Sequence, residues 1–103
     1  MVKRGEVWWG KTLHHERRPY LVLTRDRAIG VLNEILVAAV TRTIRDIGTQ
    51  VALDETDGMP HPCAANLDNL ITMPPSQLTE RITSLGIERM SEICAALAAV
   101  VDC

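Results

Sequence analysis

The chain has 103 residues, apolar side chains at 47% of positions and a formal net charge of −2, which suits one domain, residues 1–103, with a modest core. No run of about 18 apolar residues occurs, which excludes a membrane-spanning helix. Residues 1–5 lead into charge and tryptophan rather than the apolar stretch of a signal peptide, so the expected location is cytoplasmic. Cys63, Cys94 and Cys103 are odd in number and lack CxxC or Cys/His spacing, so they read as small apolar residues or a free thiol, with no metal and no cofactor. The total charge hides an asymmetry. Residues 1–45 carry nine of the eleven Lys and Arg against four acids, a local +5; residues 46–103 carry −7. A basic half on an acidic protein is compatible with a polyanionic partner, and equally with ordinary solvated surface.

In chain order, residues 6–10 read as a first strand of β-formers between two glycines. On a strand Trp8 and Trp9 face opposite sides, one towards the core and one outward, where it can stack on a base or meet a protein. A basic loop holding Lys11, His14, His15, Glu16, Arg17 and Arg18 follows. The adjacent histidines point to opposite faces with no third ligand nearby, which argues against a metal. A histidine near Arg18 can still move protons at working pH. Pro19 marks the boundary of a second strand over 20–24 and pushes Arg18 towards extended geometry. An arginine at the mouth of a strand suits the grip of an anion, because its planar fork of donors matches phosphate.

Residues 25–33, which include Arg25, read as a loop or short helical turn. The run 35–41 is apolar throughout and predicts a strand buried on both faces. It ends in Thr41, with Arg42 and Arg45 just beyond; a hydroxyl beside arginines suits a phosphate site, though threonine is also an ordinary strand residue. Residues 49–53 alternate as a half-exposed strand should, and 54–62 collect loop formers. Short strands over 64–67 and 70–73 flank an Asp68-Asn69 turn signal; Pro74-Pro75 then breaks the pattern before a weak strand over 80–85. Ile87, Met90, Ile93, Cys94, Leu97, Val100 and Val101 recur at helical spacing, with Ser84 or Gly86 as the cap. Strand after strand with one terminal helix predicts a mainly β, largely antiparallel barrel. No nucleotide-loop, zinc-protease or nucleophile-elbow motif is present.

The order of these pieces resembles the MazF/PemK-type toxins of bacterial toxin–antitoxin systems. The matching pieces are Lys3-Arg4-Gly5-Glu6-Val7-Trp8-Trp9, Arg18-Pro19-Tyr20-Leu21-Val22-Leu23 and Val37-Ala38-Ala39-Val40-Thr41-Arg42-Thr43-Ile44-Arg45. Asn66-Leu67-Asp68-Asn69-Leu70-Ile71-Thr72 and Leu85-Gly86-Ile87-Glu88-Arg89-Met90 complete a series that spans nearly the whole chain. The resemblance implies an SH3-like, CcdB/PemK-type antiparallel barrel with a C-terminal helix, acting as a homodimer. It also implies metal-free, ribosome-independent cleavage of single-stranded RNA at short sequences, neutralised by a MazE-like antitoxin. By position, Arg18 and Thr41 match the family's catalytic arginine and threonine, and Asp68 and Asn69 its base-reading pair.

Such cleavage uses the neighbouring 2′-OH and leaves a 2′,3′-cyclic phosphate and a 5′-OH. Arg18 suits the developing charge, Thr41 can donate to a non-bridging oxygen, and His14, His15 or Glu16 could supply the base. Lys11, Arg17, Arg25, Arg42 and Arg45 are the expected RNA-binding cations. The first loop is shorter than in many relatives, and Ile71 stands where many have arginine. The competing functions are a same-fold toxin that poisons a protein such as DNA gyrase, and a silent barrel that only binds RNA or a partner. The first of these is disfavoured because the chain ends Val100-Val101-Asp102-Cys103 rather than in a tryptophan-bearing tail.

Overall fold

In a computed structural model of the chain, residues 1–13 and 15–102 are described, His15 by its backbone alone. His14 and Cys103 lie outside the described residues. The strands are β1 (Glu6–Thr12), β2 (His15–Val22), β3 (Ile35–Thr41), β4 (Gln50–Leu53), β5 (Cys63–Met73) and β6 (Leu78–Ser84). A short helix α1 (Asp26–Ile29) follows β2, and α2 (Ile87–Val101) follows β6. All strands join one antiparallel sheet in the order β4-β5-β3-β2-β1-β6. The expected antiparallel architecture and terminal helix are present; β4 and β6 remain edges, so the barrel is open. No helix among the described residues is long and apolar enough to cross a membrane.

The curled sheet has a core on each face, because period-two alternation sends neighbouring side chains to opposite sides. One core gathers Leu21, Val40, Leu53 and Leu67 beneath Ile93 and Ala96 of α2. The other gathers Tyr20, Val22, Val37 and Met73 with Ile29 of α1. Each large aliphatic side chain sealed in this way stabilises the fold by about 1.5–3 kcal/mol. The α2 stripe is narrower than its sequence suggests. Ile93 and Ala96 are buried and Met90, Leu97 and Val100 partly so, but Ile87 is 90% exposed and Cys94 and Val101 also face outward. Gly86 is the cap residue, without a side-chain bond.

Three expectations are corrected. Pro19 does not begin the second strand: β2 starts at His15 and runs through it, with Pro19 opposite Trp9. The proline is tolerated because β3 pairs with β2 only at Tyr20, Leu21 and Val22, so beyond them that side of β2 has no ladder bond to lose. Asp68-Asn69 is not a turn between two strands. β5 is continuous over 11 residues. Its register against β3 jumps from Ala38↔Leu70 to Ala39↔Asn66, so residues 67–69 form a wide bulge. Finally, neither tryptophan is simply inward or outward. Trp8 packs on the second core and donates its Nε1–H to the buried Glu6 carboxylate at 3.0 Å, while Trp9 is half-buried at a groove.

Candidate functional site

The groove opens where the pairing of β2 with β3 stops. Tyr20 pairs with Ala39, and continuing that register two residues puts Arg18 across from Thr41. Around them lies a concavity of about 370 Å³ with Trp9 and Pro19 on its wall and Val40, Met59 and Cys63, all buried, as its apolar base. Arg17, Arg18, Thr41, Arg42, Thr43 and His61 complete the lining. Among the described residues three arginines and no carboxylate line it, so its field favours an anion. Burial pushes the Cys63 thiol above its ordinary value, and Asp57, Asp54 and Glu55 push it the same way, so it lines the base as a neutral group.

The polar groups divide into held and available. The Arg17 guanidinium stacks 4.5 Å from the centre of the Trp9 ring and lies 3.6 Å from Glu80 across an exposed pair. Arg18 is exposed and makes no hydrogen bond or ion pair with any described residue; its charge is felt by Tyr20, lowering a phenol pKa that burial raises by more. Thr41 Oγ1 accepts the Thr43 N–H at 3.1 Å, which leaves its own O–H to donate. Arg42 Nη2 stands 2.8 Å from His61 Nε2. Guanidinium only donates, so in this contact Nε2 is the acceptor, which turns Nδ1 to the Pro62 carbonyl at 3.4 Å.

Thr41 and Thr43 also line a second concavity of about 320 Å³, with Arg45, Ile47, Gln50, Asn66 and Asp68. The two hollows therefore form one continuous trough. The bulge of β5 builds its far wall: the Asp68 backbone N–H donates to Asn66 Oδ1 at 3.1 Å, and the Asp68 carboxylate accepts the Thr49 hydroxyl. That leaves the Asn66 amide donors to face the trough.

The structure thus brings Arg17, Arg18, Thr41, Arg42, Arg45 and Asp68 together along one trough. Asn69 is exposed on the same bulge but lines neither hollow, and exposed Lys11 and Glu16 stand outside both. Arg25 belongs elsewhere: it caps α1 beyond the opposite end of β2 and lines a shallow surface with Arg27, Val31 and Leu32. His14 lies outside the described residues, as does the side chain of His15. Sequence reasoning missed His61, Asn66 and Met59. The 54–62 stretch carried only loop signals, and nothing local said that it folds back over the Arg18–Thr41 corner. Among the described residues no three His, Cys, Asp or Glu side chains are grouped as a metal site would need.

An open antiparallel barrel with an arginine-lined, carboxylate-poor trough at one corner defines a small β protein built to grip an extended anion. The chain belongs to the PemK-like, MazF-like toxins of type II toxin–antitoxin systems, a family matched over residues 3–101. It is 43% identical over 101 residues to the probable endoribonuclease MazF5 of Mycobacterium tuberculosis, covering 97% of this chain and 93% of that protein. It is 36% identical over 103 residues to the probable endoribonuclease MazF2 of the same organism, covering 99% and 100%. Among solved structures, the M. tuberculosis toxin MazF-mt6 has a TM-score of 0.86 at 27% identity, covering 94% of this chain and 96% of that one. A mycobacterial endoribonuclease in complex with its cognate antitoxin shares the fold with a TM-score of 0.89 at 24% identity, covering 99% and 96%.

Proposed function

We propose that this chain is an endoribonuclease toxin that cleaves single-stranded RNA at short sequences, without a metal ion or the ribosome, and is held in check by an antitoxin. The observation that carries this reading is the meeting of Arg18, unpaired among the described residues, and a Thr41 hydroxyl free to donate at one corner of an arginine-lined trough. The relatives named as endoribonucleases and the neighbour solved with its antitoxin support it.

The 2′-oxygen of the nucleotide before the scissile bond attacks phosphorus. The P–O2′ bond forms, the P–O5′ bond breaks, and the products are a 2′,3′-cyclic phosphate and a 5′-OH. Arg18 stabilises the charge that grows on the phosphorane oxygens, and the Thr41 hydroxyl donates to one of them. Both groups are placed by strands, so little reorganisation is needed when the charge develops. Trp9, stacked under Arg17, offers a face to a base, and Arg42 and Arg45 hold neighbouring phosphates along the trough. Asp68 and Asn69 on the bulge, with Asn66 just before it, read base edges. Two copies pair as a homodimer. An extended acidic antitoxin segment lying in the same trough would exclude RNA by charge and shape.

The test is incubation of purified protein with mixed-sequence RNA in EDTA, with the new ends mapped, beside Arg18→Ala and Thr41→Ala. Wild-type protein should cut and leave cyclic phosphates. Each variant should lose about 10²–10³-fold in kcat, the scale of removing one charge-stabilising donor. A 2′-deoxy substitution at the cut position should abolish cleavage. A folded wild type that cuts no RNA would sink the nuclease reading, and cleavage abolished by EDTA would sink the metal-free course.

A further inference from the structure

The reaction above needs a group to take the 2′-OH proton, and neither Arg18 nor Thr41 is suited to it: guanidinium is too weak an acid to lose its proton at working pH, and a hydroxyl is a weak base. Glu16 stands outside the trough. Cys63 sits at the base of the trough, but its thiol is held in the neutral form. In the hollow that holds Arg18 and Thr41, one described side chain presents a basic nitrogen lone pair, and it is His61. Its Nε2 stands 2.8 Å from Arg42 Nη2, from which it can only accept, in the same lining as Arg18 and Thr41. Imidazole is the side chain whose ordinary titration lies nearest neutrality.

We propose that His61 is the general base of the cleavage reaction and that Arg42 masks it until RNA binds; this rests on the endoribonuclease reading. Arg42 is exposed and, among the described residues, its side chain bonds that histidine alone, so a phosphate arriving at the rim competes for the guanidinium on better terms than the imidazole does. Once Arg42 turns to the phosphate, Nε2 is free to accept the 2′-OH proton. The 2′-oxygen then bonds to phosphorus, the electron pair of the P–O5′ bond leaves on the 5′-oxygen, and water protonates that oxygen. The imidazolium afterwards returns its proton to solvent. No oxidant, reductant or further reactant is required.

The local fold supports a working geometry. His61 lies between Pro60 and Pro62, which restrict the backbone on both sides, and two residues before β5. The segment is anchored upstream by Gly58, whose N–H bonds the Glu55 carbonyl at 3.0 Å, and by buried Met59, whose N–H reaches the Asp54 carbonyl at 3.3 Å. Among the described residues, the charged and titratable groups around His61 are Arg17 and Arg18 from β2, Arg42 beyond β3, and Cys63 at the start of β5. Asp54, Glu55 and Asp57 lie behind Cys63.

His61→Gln and His61→Ala distinguish a base from a positioning contact. A glutamine amide oxygen can still accept from Arg42 but cannot take a proton, so it replaces the contact and not the chemistry. Under single-turnover conditions, on an RNA the wild type cuts, both variants should lose about 10²–10⁴-fold in rate, with affinity for the 2′-deoxy analogue within a few-fold of wild type. The acid limb of the wild-type pH–rate profile should vanish in both, and added imidazole should restore part of the alanine variant's rate. Full activity in His61→Gln, or an acid limb that survives in His61→Ala, would overturn the assignment. If His61 variants are inert to rate while Arg18→Ala is inactive, the nuclease reading stands and this inference falls. A wild type that cuts nothing overturns both. Unchanged unfolding midpoints in the variants separate either result from misfolding.

Discussion

Gly58 is where one methyl group should cost the most. It closes the 3₁₀ turn Glu55–Asp57 with φ 90° and ψ 9°, in the left-handed region. An alanine there loses about 1–2 kcal/mol to the clash between its Cβ and its own backbone. Space adds to that. A Cβ at this position would lie 2.8 Å from Thr83 Cβ and closer still to its hydroxyl. That hydroxyl is in use: it donates to the Asp57 carbonyl at 2.7 Å and ties the turn to β6. Pushing Thr83 aside sacrifices this bond and strains an edge strand, about 1–3 kcal/mol more. Gly58→Ala should therefore destabilise by about 2–5 kcal/mol, a large share of the roughly 5–15 kcal/mol that holds a domain together, and lower Tm by on the order of 10–30 °C. Urea unfolding followed by the fluorescence of the two tryptophans measures it. The mechanism also requires coupling. Thr83→Ala removes the obstructing hydroxyl, so the double variant should lose at least about 1 kcal/mol less than the two single losses together. Strict additivity, or a Gly58→Ala loss below about 0.5 kcal/mol, would refute the steric argument.

Tyr20 is the only tyrosine in the chain, so its ionisation can be followed directly by the tyrosinate absorbance band. Burial raises its pKa above the ordinary 10.0, and the nearby Arg18 charge pulls it part of the way back. The phenol therefore contributes stability in full below the unfolded-state value near 10, and that contribution disappears as pH rises through the higher folded value. Alkaline unfolding should coincide with the tyrosinate signal, and Arg18→Ala should move the native titration further upward; a downward move would contradict the assigned cause. Arg89 forks onto both oxygens of the Asp57 carboxylate at 2.9 and 3.1 Å, with side-chain exposures of 27% and 11%. Arg89→Met should cost about 1–3 kcal/mol in urea unfolding, less than a fully sealed pair because the arginine is partly wet. Adding Asp57→Asn should recover part of the loss by removing the stranded charge.

Much of the fold was legible because the signals were local. The 35–41 run is β3 residue for residue, since an apolar stretch of strand length has few other uses. The helix was legible as an element but not as a surface. Periodicity grouped Ile87 with Ile93, yet Ile87 sits in the first turn beyond the edge of the sheet and has nothing to cover. Asp68-Asn69 misled because their composition favours a turn, whereas both ends of the 63–73 segment already pair with the same strand. The Arg18–Thr41 corner was legible only through resemblance; two residues 23 positions apart in the sequence carry no mutual signal. His61 was not legible at all, because its role depends on where a proline-rich loop returns in space.

The irregular places in the sheet and the site coincide, and this follows from what a groove needs. A regular antiparallel sheet presents flush side chains and closes its own ladder, leaving no trough for a chain molecule. Pro19 ends the pairing of β2 with β3 one residue before Arg18, so that Arg18 and Thr41 face each other without a ladder bond between them. Gly10 stands opposite Arg18 on β1, and a Cβ there would meet Tyr20 and Leu78 carbons at 3.0 Å, so only glycine lets Tyr20 lie flat beneath this corner. The wide bulge at 67–69 swings Asp68 outward to form the far wall while Leu67 stays in the core. Each device weakens the sheet locally, and each lies at or beside a trough-lining residue. Restoring regularity should therefore separate stability from function: deleting the bulge can strengthen β3–β5 pairing only by removing the far wall of the trough, the wall proposed to read bases.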